Sequence, residues 1–123
     1  MRSLILVDHG SRRPEAGRVL RQMLELLLRR LPPDTEVRGA HMELSAPSLA
    51  EAIDASVAAG AAEVIVVPFM LAPGRHVLED VPRLAAEAAR RHPGLSLRVT
   101  PCLGAHPALA QVVLERAGLD EDS

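Results

Sequence analysis

Short, continuous apolar runs alternate with longer amphipathic stretches along the whole of this chain, and that alternation restricts its fold more than any other feature. Leu4-Ile5-Leu6-Val7 and Val64-Ile65-Val66-Val67 contain no polar residue, the pattern of strands covered on both faces. Between them the period changes. Over positions 13–31, Leu20, Leu24, Leu27, Leu28 and Leu31 share one stripe that Val19, Met23 and Leu26 widen, which predicts a substantially buried helix. Pro32-Pro33 stops it. Thr35 to about Met42 is mixed in polarity and reads as a second strand at a sheet edge. Pro47 and the capping box Ser48-Leu49-Ala50-Glu51 begin a second helix that Gly60 closes, with Leu49, Ala52, Ile53 and Val57 facing inward.

The run at Val64–Val67 is the most apolar and belongs in the centre of the sheet. After Pro73-Gly74 a third helix runs to about His92, with Val81, Leu84, Ala85 and Ala88 inward, and Pro93-Gly94 ends it. Leu95 to about Thr100 is a fourth strand. Pro107 opens a last helix with Leu109, Val112 and Val113 inward, and Gly118 ends it. The order is βαβαβαβα. Helical crossovers require parallel strands joined by right-handed connections. The expectation is therefore an α/β fold over residues 1–119: a single three-layer domain whose four-stranded parallel sheet carries helices on both faces. Residues 120–123 read as a frayed acidic tail.

Composition removes several function classes. All 14 basic residues are Arg, so Schiff-base lysine chemistry and a Walker-type phosphate loop are excluded. Phe69 is the lone aromatic residue, which leaves no stacking platform for single-stranded nucleic acid. A net charge of -2 gives no general attraction to nucleic acid or to an anionic membrane. Cys102 stands alone, so no intrachain disulfide can form and a reducing compartment is expected. Leu4 to Val7 is too short for a signal peptide, and no apolar run approaches the ~20 residues of a membrane span. A soluble cytoplasmic domain is the simplest expectation.

In open α/β sheets, ligands bind at the carboxyl edge of the strands. The loops there carry His9, Gly10, Ser11 and Arg12, then His41, Glu43 and Ser45, then Arg75 and His76, then Cys102 and His106. His9 and His76 each follow an apolar strand, so both imidazoles are expected at one edge, where they can act as bases or metal ligands. A carboxylate from Glu43 would complete a set that Fe, Co, Ni and Zn accept. The pattern leaves open whether His41 or Glu43 reaches the site. His106, before Pro107, suits a helix N-cap, and Cys102 suits a small buried hydrophobe. His92 suits a helix C-terminus. Arg12, Arg13 and Arg75 flank the candidate histidines and would suit a substrate bearing several carboxylates.

Four blocks carry a resemblance. His9-Gly10-Ser11-Arg12, His41-Met42-Glu43-Leu44-Ser45-Ala46-Pro47-Ser48, Val67-Pro68-Phe69 leading to Pro73-Gly74-Arg75-His76, and Leu103-Gly104-Ala105-His106-Pro107 follow successive strands. Together they resemble the small, single-lobe sirohydrochlorin chelatase family of class II tetrapyrrole chelatases, over nearly the whole chain. Asp8 stands where glycine is common in that family, and Met70-Leu71-Ala72 replaces a more aromatic stretch. The resemblance implies a chelatase-type, flavodoxin-like fold and insertion of Co²⁺ or Fe²⁺ into sirohydrochlorin or a related tetrapyrrole, with Ni²⁺ or Zn²⁺ accepted in vitro. It implies that His9 and His76 bind metal and assist pyrrole deprotonation, that Glu43 joins them as a ligand, and that Ser11, Arg12 and Arg75 meet substrate carboxylates. No cofactor beyond the metal substrate is implied. It also implies a homodimer with the site in the cleft between subunits.

Other readings compete. A histidine phosphatase places Arg before its first His-Gly, where Asp8 would repel phosphate. A response-regulator receiver needs a Lys that is absent. A non-catalytic protein that binds or delivers a divalent metal or a tetrapyrrole would share the ligands and lack turnover.

Overall fold

The computed structural model describes residues 1–72 and 74–121, with His76 described by its backbone alone. Its elements follow the expected alternation: β1 (Arg2–Asp8), α1 (Pro14–Leu28), β2 (Thr35–His41), α2 (Leu49–Ala58), β3 (Glu63–Pro68), α3 (Arg75–Ala89), β4 (Ser96–Val99) and α4 (Pro107–Ala117). The four strands are parallel in the order β2-β1-β3-β4. The two continuous apolar runs thus hold the two central places, and the mixed Thr35–His41 segment lies at an edge. α3 ends at Ala89, and tight turns from Arg91 N–H to Ala88 and from His92 N–H to Ala89 carry the chain on to His92.

Register decides which side chains share a face. Ser3, Ile5 and Val7 of β1 align with Val64, Val66 and Pro68 of β3, and all of them are buried. This face packs against α2 and α3: Leu49, Ala52, Ile53, Val77, Val81, Ala85 and Ala88 complete the main core. Ser3 and Ser56 are both 0% exposed and hydrogen-bond each other at 2.7 Å, while Ser3 Oγ also reaches Glu36 at 2.8 Å. Among the described residues no buried side-chain nitrogen or oxygen lacks a partner, as burial demands. Ser48 caps α2 by accepting from Glu51 N–H at 3.1 Å, and the Glu51 carboxylate accepts from Ser48 N–H at 3.0 Å, the reciprocal box the sequence predicts.

The opposite face is covered on one side. α1 approaches β2 over Gly39, where an added Cβ would lie 3.0 Å from Leu24 and 3.1 Å from Leu20. The absence of a side chain there admits the helix. Two expectations fail on this face. The stripe on α1 predicts a substantially buried helix, yet Leu20 alone is buried, and Leu26 and Leu28 are 52% and 61% exposed. The last helix was expected to turn Leu109, Val112 and Val113 inward, yet α4 buries no residue, and Val113 is 65% exposed. Both failures have one cause. α4 does not return to cover the sheet beside α1, so Ile65 and Val67 stay half-buried and α1 lacks a flanking helix. Apolar periodicity reports a face that calls for cover without naming what supplies it.

α4 begins as predicted, with His106 Nδ1 accepting from Ala108 N–H at 3.0 Å, and it ends on Gly118 at φ 70°. Of the acidic tail, Asp122 and Ser123 lie outside the described residues. No helix among the described residues is long and apolar enough to cross a membrane.

Candidate functional site

The loops at the carboxyl edge are joined in two pairs. In the first, Met42 N–H donates to Asp8 C=O at 2.9 Å, and Glu43 N–H donates to His9 C=O at 3.2 Å. Ser45 Oγ donates to Ser11 C=O at 2.6 Å. Gly10 makes the approach possible: its φ is 89°, and an added Cβ would lie 1.7 Å from the Glu43 carbonyl oxygen. A side chain would meet both backbone strain and a direct clash. In the second pair, Leu103 N–H donates to Met70 C=O at 3.0 Å and Gly104 N–H to Leu71 C=O at 2.9 Å.

The seam between the pairs falls between β1 and β3. The chain leaves β1 for α1 on one face and leaves β3 for α3 on the other, so this is the topological switch point at which open α/β sheets form their ligand crevice. His9 stands on one side of the seam and the start of α3, with Arg75 and His76, on the other.

His9 and Glu43 are both exposed and sit on the first loop pair. Strand register gives His41 and Glu43 different surroundings. His41 aligns with Asp8, and its Nδ1 lies 2.5 Å from Asp8 Oδ1. Gly10 N–H donates to that same oxygen at 2.9 Å. His41 is thereby engaged with Asp8, while Glu43 is exposed at the edge. Ser11 is half-buried and accepts from Arg13 N–H at 3.0 Å, while Arg12 and Arg75 are exposed. The His76 side chain lies outside the described residues; its backbone falls in the first turn of α3. Among the described residues, no three His, Cys, Asp or Glu side chains converge as a metal cluster. Cys102 packs, half-buried, against the margin of the core.

His92 is held away from this edge. Its Nε2 lies 2.7 Å from Asp54 Oδ1, and Arg91 donates to both oxygens of that carboxylate at 2.8 and 2.9 Å. The hydrogen bond from His92, then those from Arg91, hold the Asp54 carboxyl below its ordinary range. The pairing of Asp8 with His41 lies outside what the loop pattern predicts. The sequence shows only that Leu4, Leu6 and Asp8 alternate onto one face of β1; the partner of Asp8 is set by the register with β2.

A family model described as CbiX matches residues 3–118. The chain belongs to the CbiX family. Among its CbiX-type relatives, the chloroplastic sirohydrochlorin ferrochelatase of Arabidopsis thaliana is 42% identical over 113 residues, covering 92% of this chain and 50% of that protein. A sirohydrochlorin cobaltochelatase of Methanococcoides burtonii is 30% identical over 122 residues, covering 93% of this chain and 92% of its own. The crystal structure of the sirohydrochlorin chelatase SirB from Bacillus subtilis subspecies spizizenii, in complex with cobalt, superposes with a TM-score of 0.86 at 26% identity. It is matched over 95% of this chain and 50% of its own. This CbiX chain thus spans about half the length of the first of these relatives and of SirB, and nearly the full length of the archaeal protein.

Proposed function

We propose that the chain is a tetrapyrrole chelatase that inserts Co²⁺ or Fe²⁺ into sirohydrochlorin or a related modified porphyrin. The observation that carries this reading is the hydrogen bond from Glu43 N–H to His9 C=O beside the β1–β3 seam, in a chain whose CbiX-type relatives are named as sirohydrochlorin chelatases. It sets an imidazole and a carboxylate on one hydrogen-bonded pair of loops, with the start of α3 across the crevice. In the proposed site His9, Glu43 and His76 hold the incoming ion. Imidazole and carboxylate suit several first-row ions, so the metal received follows supply.

Insertion replaces two pyrrole N–H protons by one M²⁺, and the two protons leave the macrocycle. Neutral His9 and His76 accept them once the ion has moved from imidazole to pyrrole nitrogen, since an imidazole titrates near physiological pH. Ser11, Arg12 and Arg75 meet carboxylates of the substrate. The protein works in the cytoplasm as a homodimer, its second copy closing the cleft as the other half of a longer relative would. The exposed Val112, Val113 and Leu114 on α4 support that arrangement, because a monomer gains nothing by presenting them to water.

The test is sirohydrochlorin with Co²⁺ in the presence of the purified chain. The tetrapyrrole absorption spectrum should shift faster than in a protein-free control, and His9→Ala or His76→Ala should each abolish the acceleration with folding intact. Co²⁺ binding without acceleration, across several tetrapyrroles, would instead identify a metal carrier.

A further inference from the structure

A second concavity, of about 270 Å³, lies on the α1 side of the same edge. Ser11, Arg12, Arg13, Arg21, His41 and Ser45 line it. It is smaller than the ~300–1,000 Å³ sites that take whole drug-sized ligands, so it admits a substituent and not a macrocycle. Its charge is concentrated. Arg2, Arg38, Arg83 and Arg91 pair with carboxylates elsewhere, whereas Arg12, Arg13 and Arg21 have no carboxylate within 4 Å among the described residues. Arg21 folds back along α1, with a guanidinium nitrogen 3.4 Å from where a Gly17 Cβ would stand, so Gly17 leaves its head group clear at the rim. Asp8 also borders the pocket, but its Oδ1 is taken by His41 and by Gly10 N–H. One carboxylate, engaged through Oδ1, borders the pocket beside three guanidiniums that pair with no described carboxylate.

We propose that this pocket seats one carboxylate arm of the tetrapyrrole, with Arg13 and Arg21 as specificity-determining residues alongside Arg12. The assignment rests on the chelatase reading above. A guanidinium offers a planar fork of donors that matches a carboxylate in two-point contact. The pocket is built on the loops that carry His9 and Glu43, and Ser45 Oγ ties its wall to Ser11. An arm held here would therefore fix the macrocycle relative to the proposed metal ligands through one hydrogen-bonded unit.

Binding of metal-free sirohydrochlorin to the intact chain, followed by absorption titration, tests this. Both arginines are exposed, so Arg13→Ala/Arg21→Ala should melt like the parent protein. The double variant should bind sirohydrochlorin at least about tenfold more weakly, the loss expected for charged hydrogen bonds. Its affinity for Co²⁺ alone should be unchanged, and Arg13→Lys/Arg21→Lys should recover only part of the lost affinity. The fully esterified macrocycle should not distinguish parent from variant. Equal binding of sirohydrochlorin by parent and double variant would overturn the pocket while leaving the chelatase reading intact. A tenfold loss shared by the esterified macrocycle would also overturn it, because carboxylate would then not be what the arginines read. If the parent chain bound neither Co²⁺ nor sirohydrochlorin, the chelatase reading and the pocket would fall together.

Discussion

The backbone N–H of Glu43 donates to the carbonyl oxygen of His9 across 3.2 Å, so these two candidate ligands are coupled through main chain before any metal arrives. Positioning of this kind reduces the backbone ordering left to be done at the moment of binding, and it makes the site sensitive to changes that touch neither ligand.

Gly10→Ala is the sharpest such change. The positive φ alone costs about 1–3 kcal/mol in a residue with a side chain, and the new methyl would have to displace the Glu43 carbonyl, 1.7 Å from its ideal position. The expected result is a lower melting temperature together with a roughly ten- to hundredfold loss of Co²⁺ affinity, the range for disturbed support of metal ligands. Calorimetry of unfolding and of Co²⁺ binding measures both. Unchanged Co²⁺ affinity would separate the loop junction from the metal site.

Asp8→Ala removes the acceptor shared by His41 and Gly10 N–H. Both partners are mostly buried, with His41 13% exposed and Asp8 20%. The loss should therefore be about 1–3 kcal/mol of stability. A double-mutant cycle with His41→Ala, read by urea unfolding, should give a coupling energy well above zero. Simple additivity would mean the pair contributes nothing.

Asp54 supplies a pH dependence whose sign is fixed by its partners. His92 and Arg91 lower its folded pKa below the ordinary value of 3.8, so the unfolded state binds more protons in the window below that value. The contribution is fully present above pH 3.8 and is lost as the pH falls through the lowered folded value. The carboxylate is 46% exposed, which keeps the effect small. Asp54→Asn should therefore be modestly less stable than the parent at neutral pH, with the gap closing in strong acid. A gap that widens on acidification in parallel urea titrations would reverse the assignment.

Val113→Glu tests the face of α4. Val113 is 65% exposed, so a charge there should leave the folded chain as stable as before, within about 0.5 kcal/mol. If a second copy covers this face, sedimentation velocity should show the variant shifted from dimer to monomer, with chelatase activity lost in step. A parent chain that sediments as a monomer at every concentration would remove the shared-cleft arrangement.

Much of the fold can be read without coordinates. Continuous apolar runs specify the two central strands, and Ser48 with Glu51 specifies the start of α2. His106 is the cap its place before Pro107 suggests. Relations set by register are harder to read. That Asp8 meets His41 follows from a one-to-one alignment of β1 with β2, which no local pattern encodes. The low burial of α1 and α4 was equally hidden, because periodicity describes the helix and not the surface beside it. At the candidate site, the strand pattern was enough to say which edge loops carry His9 and Glu43. The arginine pocket could not be read in this way, since Arg21 reaches it from a full turn and more into α1.

The pairing of the edge loops has a bearing on how such a chain can diverge. Hydrogen bonds tie the loops after β1 and β2 to each other, and those after β3 and β4 likewise. Inheritance should follow the same partition. A substitution that shifts the backbone of the His9 loop should call for a compensating change in the Glu43 loop, so that half should drift in concert. The half bearing Met70, Leu71 and Gly104 can be remodelled as a separate block, altering which macrocycle fits the proposed site, as long as the start of α3 that carries His76 is kept.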